Sequence, residues 1–224
     1  MKPLTIAIDG PVGAGKSTIS DVVAQRLGIL HLDTGAMYRA VGLAALNEGV
    51  DPRDEAAVCR LCREDGARVD VRYQNGKQVT LLNGKDVSDE IRTLTAGGAA
   101  SAVSRYQPVR KMLVARQQAM ARQQPMLLDG RDIGTVVLPD ATVKIYLTAS
   151  AEARALRRRN QLLEKGTDTP LETILAEVNA RDYQDTHRAV DPLRQAEDAI
   201  LVDSSDLSFE ETVEKILSLV EEKR

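Results

Sequence analysis

The chain of 224 residues is poor in the features that mark special classes of protein. It has two cysteines and two histidines. Cys59 and Cys62 form one C-x-x-C, the spacing of a redox pair or half a zinc site, but no second pair completes a metal site. Three-residue spacing is ordinary on a helix, so free structural thiols are expected. His31 and His187 are too few and too far apart for a metal cluster, and His31 reads as a satisfied side chain at an apolar strand edge. No apolar run approaches the roughly eighteen residues of a membrane span. The N-terminus enters a strand-like run with no signal-peptide pattern, so a cytoplasmic protein with no membrane partner is expected. Thirty basic against 33 acidic side chains leave a formal net charge of -3, and no general field draws the chain to nucleic acid. There is no internal repeat and no low-complexity tail. With 43% hydrophobic residues the length fits a single α/β domain over 1–224, and the lack of a symmetric apolar face points to a monomer.

What is present is a rhythm of strand and helix. Short continuous apolar runs at Leu4–Ile8, Ile29–Leu32, Met126–Leu128, Val143–Leu147 and Ala199–Val202 read as strands buried on both faces of a parallel sheet. Helical periodicity fills the intervals: Thr18–Leu27, Met37–Asn47, Glu55–Glu64, Val103–Ala121, Ala151–Lys165, Leu171–Tyr183 and Phe209–Glu222. The class is therefore α/β, doubly wound, with ligands expected at the carboxyl ends of the strands. One region breaks the pattern. From Ala67 to Ile91, alternating runs are separated by Asn75-Gly76 and followed by Asn83-Gly84, the signal of a small antiparallel insert.

Four constellations carry chemistry. The first is Gly10-Pro11-Val12-Gly13-Ala14-Gly15-Lys16-Ser17-Thr18 after an apolar strand and before a helix, the pattern of a Walker A phosphate loop. Its glycines let successive N–H groups turn inward as an anion nest, Lys16 adds charge for the β- and γ-phosphates, and the Ser17 hydroxyl can ligate Mg²⁺. The second is Leu32-Asp33-Thr34-Gly35-Ala36-Met37-Tyr38-Arg39, a strand end opening into a helix. It reads either as a plain helix cap or as a second anion site reached by Arg39. The third is Leu127-Leu128-Asp129-Gly130-Arg131-Asp132, with Asp129 placed like the strand-end acid that orients Mg²⁺ or its waters, although a type I turn accounts for it equally well. In the fourth, Arg181, Asp185 and Arg188 fall at i, i+4 and i+7, on one helical face, either as a site or as a solvated ion pair.

These motifs, G-P-V-G-A-G-K-S-T, L-D-T-G-A-M-Y-R-A, D-G-R-D-I-G-T-V-V-L-P-D-A and R-D-Y-Q-D-T-H-R-A-V-D-P-L in that order, resemble the bacterial cytidylate kinases. The likeness runs from Ile6 to the C-terminal helix. It implies a P-loop parallel sheet flanked by helices, an inserted monophosphate-binding β subdomain over 67–92 and a short helical lid over 151–170. It also implies transfer of the γ-phosphoryl group of ATP to CMP or dCMP. Gly10 to Thr18 would hold ATP, with Arg154 and Arg158 as the lid contacts. Thr34, Tyr38, Arg39, Arg131 and Arg188 would surround the acceptor phosphate. Ser101, Arg110 and Asp132 would read cytosine, while Arg181 and Asp185 would bind the ribose. Lys16, Arg39, Arg131 and Arg188 would be catalytic, and Mg²⁺ would sit on Ser17 directly, with Asp33 and Asp129 acting through water.

Arginine supplies 21 of the 30 basic side chains, and this bias fits the chemistry. The acceptor phosphate, with a second pKa near 6, is largely ionised at neutral pH and needs no protein base. The chain must instead suppress repulsion between two polyanions, align them and exclude water by closing the insert and lid. Rival readings are a kinase of another monophosphate or of a small metabolite such as shikimate, a GTP-dependent switch, and a nucleotide-binding protein without activity. The switch is disfavoured because Asn83-Gly84-Lys85-Asp86 has the wrong order for guanine recognition. The inactive reading is disfavoured by the presence of Lys16, Ser17, Asp129 and Arg131.

Overall fold

The computed structural model describes residues 2–64, 66–164 and 166–223; Lys165, the expected last residue of one helix, lies outside them. In chain order the first half holds β1 (Thr5–Asp9), α1 (Lys16–Leu27), β2 (Leu30–Asp33), α2 (Thr34–Asn47), α3 (Glu55–Arg63), β3 (Val69–Gln74), β4 (Lys77–Leu82), β5 (Lys85–Asp86), α4 (Leu94–Val103) and α5 (Gln107–Ala121). The second half holds β6 (Met126–Gly130), β7 (Val143–Thr148), α6 (Ala151–Glu164), α7 (Leu171–His187), β8 (Ile200–Asp203) and α8 (Phe209–Glu222). These elements form two compact units, Leu4–Ile29 with Met126–Arg224, and Met1–Pro3 with Leu30–Pro125.

In the first of these units, β6, β1, β7 and β8 lie side by side and all pair in parallel. The apolar runs are buried on both faces, as continuous rather than alternating hydrophobicity requires. Ile6, Ile8, Leu127, Val143, Ile145, Leu147 and Val202 meet Ile19 and Val23 of α1 and Val213, Ile216 and Val220 of α8. Each such side chain contributes about 2 kcal/mol by leaving water. Helix α8 starts at a capping box, in which Ser208 and Glu211 satisfy each other's backbone N–H groups. The register sets Asp9 beside Gly130, so the loops leaving β1 and β6 start from the same edge.

The other unit contains the antiparallel sheet β3–β4–β5. Asn75 and Gly76 have φ of 53° and 75°, and Asn83 and Gly84 have 51° and 83°, the left-handed pairs that two-residue hairpins demand. The strand β5 is an addition to the expected hairpin. The expected helix Val103–Ala121 begins only at Gln107, as α5; Val103 instead ends a separate helix, α4, that the sequence reading did not name. Pro108 sits in the first turn of α5, where it is tolerated; a helix continuing back through Ser104 would drive its ring against the Ser104 carbonyl. That carbonyl instead accepts from Arg110 at 3.3 Å. Helix α4 packs on α2 at very short range, since a Cβ on Gly42 would lie 2.8 Å from the Ala99 methyl.

Cys59 and Cys62 are free thiols, and burial pushes Cys62 up to about 11. Among the described residues no helix is long and apolar enough to cross a membrane.

Candidate active site

The phosphate loop leaves β1 at Asp9. Gly13 and Gly15 take left-handed φ of 76° and 82°, and a Cβ on Gly10 would lie 1.9 Å from the Leu147 carbonyl oxygen, so only glycine fits there. Helix α1 begins at Lys16, two residues before the expected Thr18. The Lys16 ammonium donates to the Pro11 carbonyl at 2.7 Å and is buried. Burial first, and the neighbouring Arg131 second, pull its pKa down to about 7, against the pull of Asp129, Asp185 and Asp9. Such a group gains a full charge when an anion arrives. Ser17 donates its hydroxyl to Asp129 Oδ2 at 2.9 Å, which joins the loop after β1 to the acid near the end of β6.

After β6 the chain makes one π-helical turn, Ile133–Val137. Its first two N–H groups, of Ile133 and Gly134, each donate to the Asp9 carboxylate at 2.7 Å. Burial raises Asp9 to about 6 although both bonds oppose the rise. The sequence reading missed Asp9, yet a single acid ending an apolar strand was a legible signal. Arg131 donates from Nε to Asp185 Oδ2 at 2.7 Å, and Arg181 donates to Asp185 Oδ1 at 3.2 Å. Burial works to raise Asp185, but Arg131, Arg181 and Arg188 together hold it below the usual carboxylate range.

Arg188 corrects the sequence reading. Helix α7 ends at His187 and Arg188 is extended, with ψ of 142°, so it does not share a helical face with Arg181 and Asp185. It donates to the Asp191 carbonyl at 2.7 Å and to Asp132 Oδ1 at 3.2 Å. Arg154 is buried at the start of α6 and donates to Val12 of the phosphate loop and to both oxygens of Asp182, a partner the sequence did not signal. Arg158, one turn further on, is half-buried.

In the unit holding β2, Asp33 is the N-cap of α2: its Oδ1 accepts from the Ala36 N–H at 3.0 Å and its Oδ2 from Arg39 at 2.6 Å. The cap reading is therefore correct for Asp33, and Thr34 follows as the buried first residue of the helix. The Gln78 amide accepts from the Asp33 N–H at 2.8 Å and donates to the Asp33 carbonyl at 3.2 Å. Arg110 is buried with its guanidinium 5.7 Å from the Tyr38 ring centroid. Ser101 lies on α4, its carbonyl accepting from the Ser104 hydroxyl at 3.1 Å.

The cytidylate kinase family profile matches residues 6–222. The chain belongs to the cytidylate kinase family. It is 47% identical to a cytidylate kinase of Caldicellulosiruptor saccharolyticus over 98% of this chain and 96% of that one. It is 48% identical to one of Desulforamulus reducens over 96% of each, and 46% identical to one of Bacillus velezensis over 99% and 98%. Among solved structures, a gluconokinase from Sinorhizobium meliloti shares the fold alone, at a TM-score of 0.50 and 12% identity over 98% of this chain and 93% of that one. An uncharacterized protein from Eubacterium ventriosum does so at 0.52 and 11%, over 99% of each. The motifs on which the resemblance was drawn all lie within the family match.

Proposed function

We propose that the chain transfers the γ-phosphoryl group of ATP to CMP or dCMP, giving ADP and CDP or dCDP. The observation that carries this, beside membership of the family, is the buried Lys16 in a left-handed glycine loop, with Ser17 bonded to Asp129. Gly10 to Thr18 hold the triphosphate. The backbone N–H groups donate to its oxygens, and Lys16 exchanges the Pro11 carbonyl for the β- and γ-phosphates.

The donor set fits Mg²⁺. Ser17 and Asp129 offer hard oxygen atoms, and among the described residues no three His, Cys, Asp or Glu side chains converge to cage an ion. A sparse oxygen set suits a cation that keeps most of its waters and binds through substrate phosphates. Ser17 would hold it directly and Asp129 through water. Both oxygens of Asp33 are committed to Ala36 and Arg39, so Asp33 is the weaker of the proposed water partners. When bound, the ion neutralises charge on the β- and γ-phosphates.

The acceptor needs no general base because its phosphate is already ionised at neutral pH. Arg131 and Arg188, with Thr34, Tyr38 and Arg39, offset its charge, and their fixed donors are worth most as charge moves between the phosphates. Arg181 and Asp185 take the sugar. Cytosine carries an exocyclic amine donor and a ring-nitrogen acceptor. Asp132 accepting from the amine, and Arg110 and Ser101 on the ring, reject uracil, which reverses both groups.

Initial rates of ADP formation across the nucleoside monophosphates test this reading. CMP and dCMP should exceed UMP by at least about a hundredfold in kcat/KM, with AMP, GMP and dTMP nearly inactive. A better rate with AMP, dTMP or shikimate would overturn the cytidylate assignment and leave the phosphate loop standing.

A further inference from the structure

We propose that Arg154 is a positioning residue for the phosphate loop, locked in place by Asp182, rather than a mobile contact to the triphosphate. The inference rests on the reading that Gly10 to Thr18 hold ATP. Four bonds define the Arg154 guanidinium. Its Nε donates to the Ala149 carbonyl at 2.8 Å, its Nη1 to the Val12 carbonyl at 2.9 Å and to Asp182 Oδ1 at 3.1 Å, and its Nη2 to Asp182 Oδ2 at 2.6 Å. The pair with Asp182 is a two-pronged fork, the geometry in which arginine and carboxylate hold each other most firmly. Arg154 is only 5% exposed, so water does not compete for these donors.

The bond to Val12 has a direct effect on the loop. Among the described residues there is no cis peptide, so the Val12 carbonyl and the Gly13 N–H of the same peptide plane point in opposite directions. Holding the oxygen against α6 therefore turns the Gly13 N–H the other way. The side chain also walls that peptide: a Cβ on Gly13 would lie 3.3 Å from Arg154 Cβ. Lys16 makes a single bond to Pro11, which an arriving phosphate can replace, whereas Arg154 would surrender a buried ion pair and two backbone bonds to move. Asp182 thus acts on the loop through Arg154.

The alternative, that Asp182 holds Arg154 back from the phosphates, predicts the opposite sign, so one variant decides between them. Asp182→Asn keeps the shape and removes the charge. ATP and ADP affinities would be measured by titration calorimetry on the full chain, with steady-state kinetics alongside. If Arg154 positions the loop, both affinities fall about tenfold in Asp182→Asn, while the KM for CMP stays within about twofold of wild type. Arg154→Lys keeps the charge but cannot span Val12 and Asp182 together. It should weaken ATP to a similar extent, and the double variant should be no worse than either single one. Unchanged or tighter ATP binding in Asp182→Asn overturns the inference, as does full additivity of the two substitutions. A wild-type chain that binds no ATP would instead overturn the phosphotransfer reading, and this inference with it.

Discussion

Arg131 Nε lies 2.7 Å from Asp185 Oδ2, and Asp185, only 5% exposed, also takes the Arg181 Nε at 3.2 Å. One carboxylate thus fixes two arginines, one of them assigned to the acceptor phosphate. Asp185 cannot serve the sugar alone. Asp185→Ala should lower kcat as well as raise the KM for CMP, each by about tenfold or more, because Arg131 loses its anchor. Breaking such a buried pair costs about 3 to 5 kcal/mol, so the melting temperature should fall too. A rise in KM with unchanged kcat would show that Arg131 holds its place without Asp185.

Lys16 leads to a pH prediction. Its folded pKa, about 7, is below the ordinary 10.5, so between these values the unfolded chain binds the proton that the folded chain refuses. Stability contributed by neutral Lys16 is therefore present above 10.5 and lost as pH falls toward 7. Lys16→Met should flatten this slope and raise the melting temperature near pH 7, while lowering kcat by at least about a hundredfold. ATP restores the charge, so calorimetry at pH 8 in buffers of different ionisation enthalpy should register proton uptake in wild type and none from this site in Lys16→Met. Equal uptake in both would separate Lys16 from the triphosphate.

Gln78 reaches from β4 to hold both backbone groups of Asp33. Gln78→Leu has nearly the same volume but offers neither bond, which loosens the start of α2 and the Asp33–Arg39 pair. The KM for CMP should rise about tenfold, a loss of the size that one or two buried hydrogen bonds command. The KM for ATP should stay near its original value. Equal changes in both would point to a general loss of structure.

Gly10→Ala sets a methyl against the Leu147 carbonyl oxygen at 1.9 Å. The methyl has no rotamer that moves it and the oxygen it meets is main chain, so neither side can give way without a backbone shift. A loss of more than about 3 kcal/mol, read as a drop in denaturation midpoint, is expected. By contrast, Gly97 and Gly98 on α4 face open space, and alanine there should be harmless or slightly stabilising.

The parallel strands, the hairpin at Asn75-Gly76 and the phosphate loop were all legible, because each depends on local chemistry: apolar runs, left-handed turn residues, glycine spacing. Helix α4 was not. Its Gly97-Gly98 pair argues against a helix by propensity, and what supports the helix is close packing of Ala99 and Ala100 on Gly42, more than fifty residues earlier. Arg188 was placed on the face of Arg181 and Asp185 by spacing alone, although the periodic segment was read only to Tyr183; α7 runs on to His187 and the backbone turns extended at Arg188. The motif residues themselves were legible, but their partners were not: Asp182 for Arg154, Asp9 for the turn after β6 and Gln78 for Asp33 come together only through folding.

The pairing of β1 sets a timetable for synthesis. Thr5 to Asp9 leave the ribosome well before their partners, for in their own unit they hydrogen-bond to β6 and β7, beginning at Met126 and Val143. At about 5 to 20 residues per second the strand waits on the order of 10 s for those neighbours. During that interval Ile6 and Ile8 are an unpaired apolar segment, and the phosphate loop behind them has no β7 backbone against Gly10 and no Arg154 beneath Val12. Nucleotide therefore cannot guide the early chain; it can only reward the finished one. A nascent chain halted before Met126 carries every residue of the phosphate loop and should not be retained on immobilised ATP.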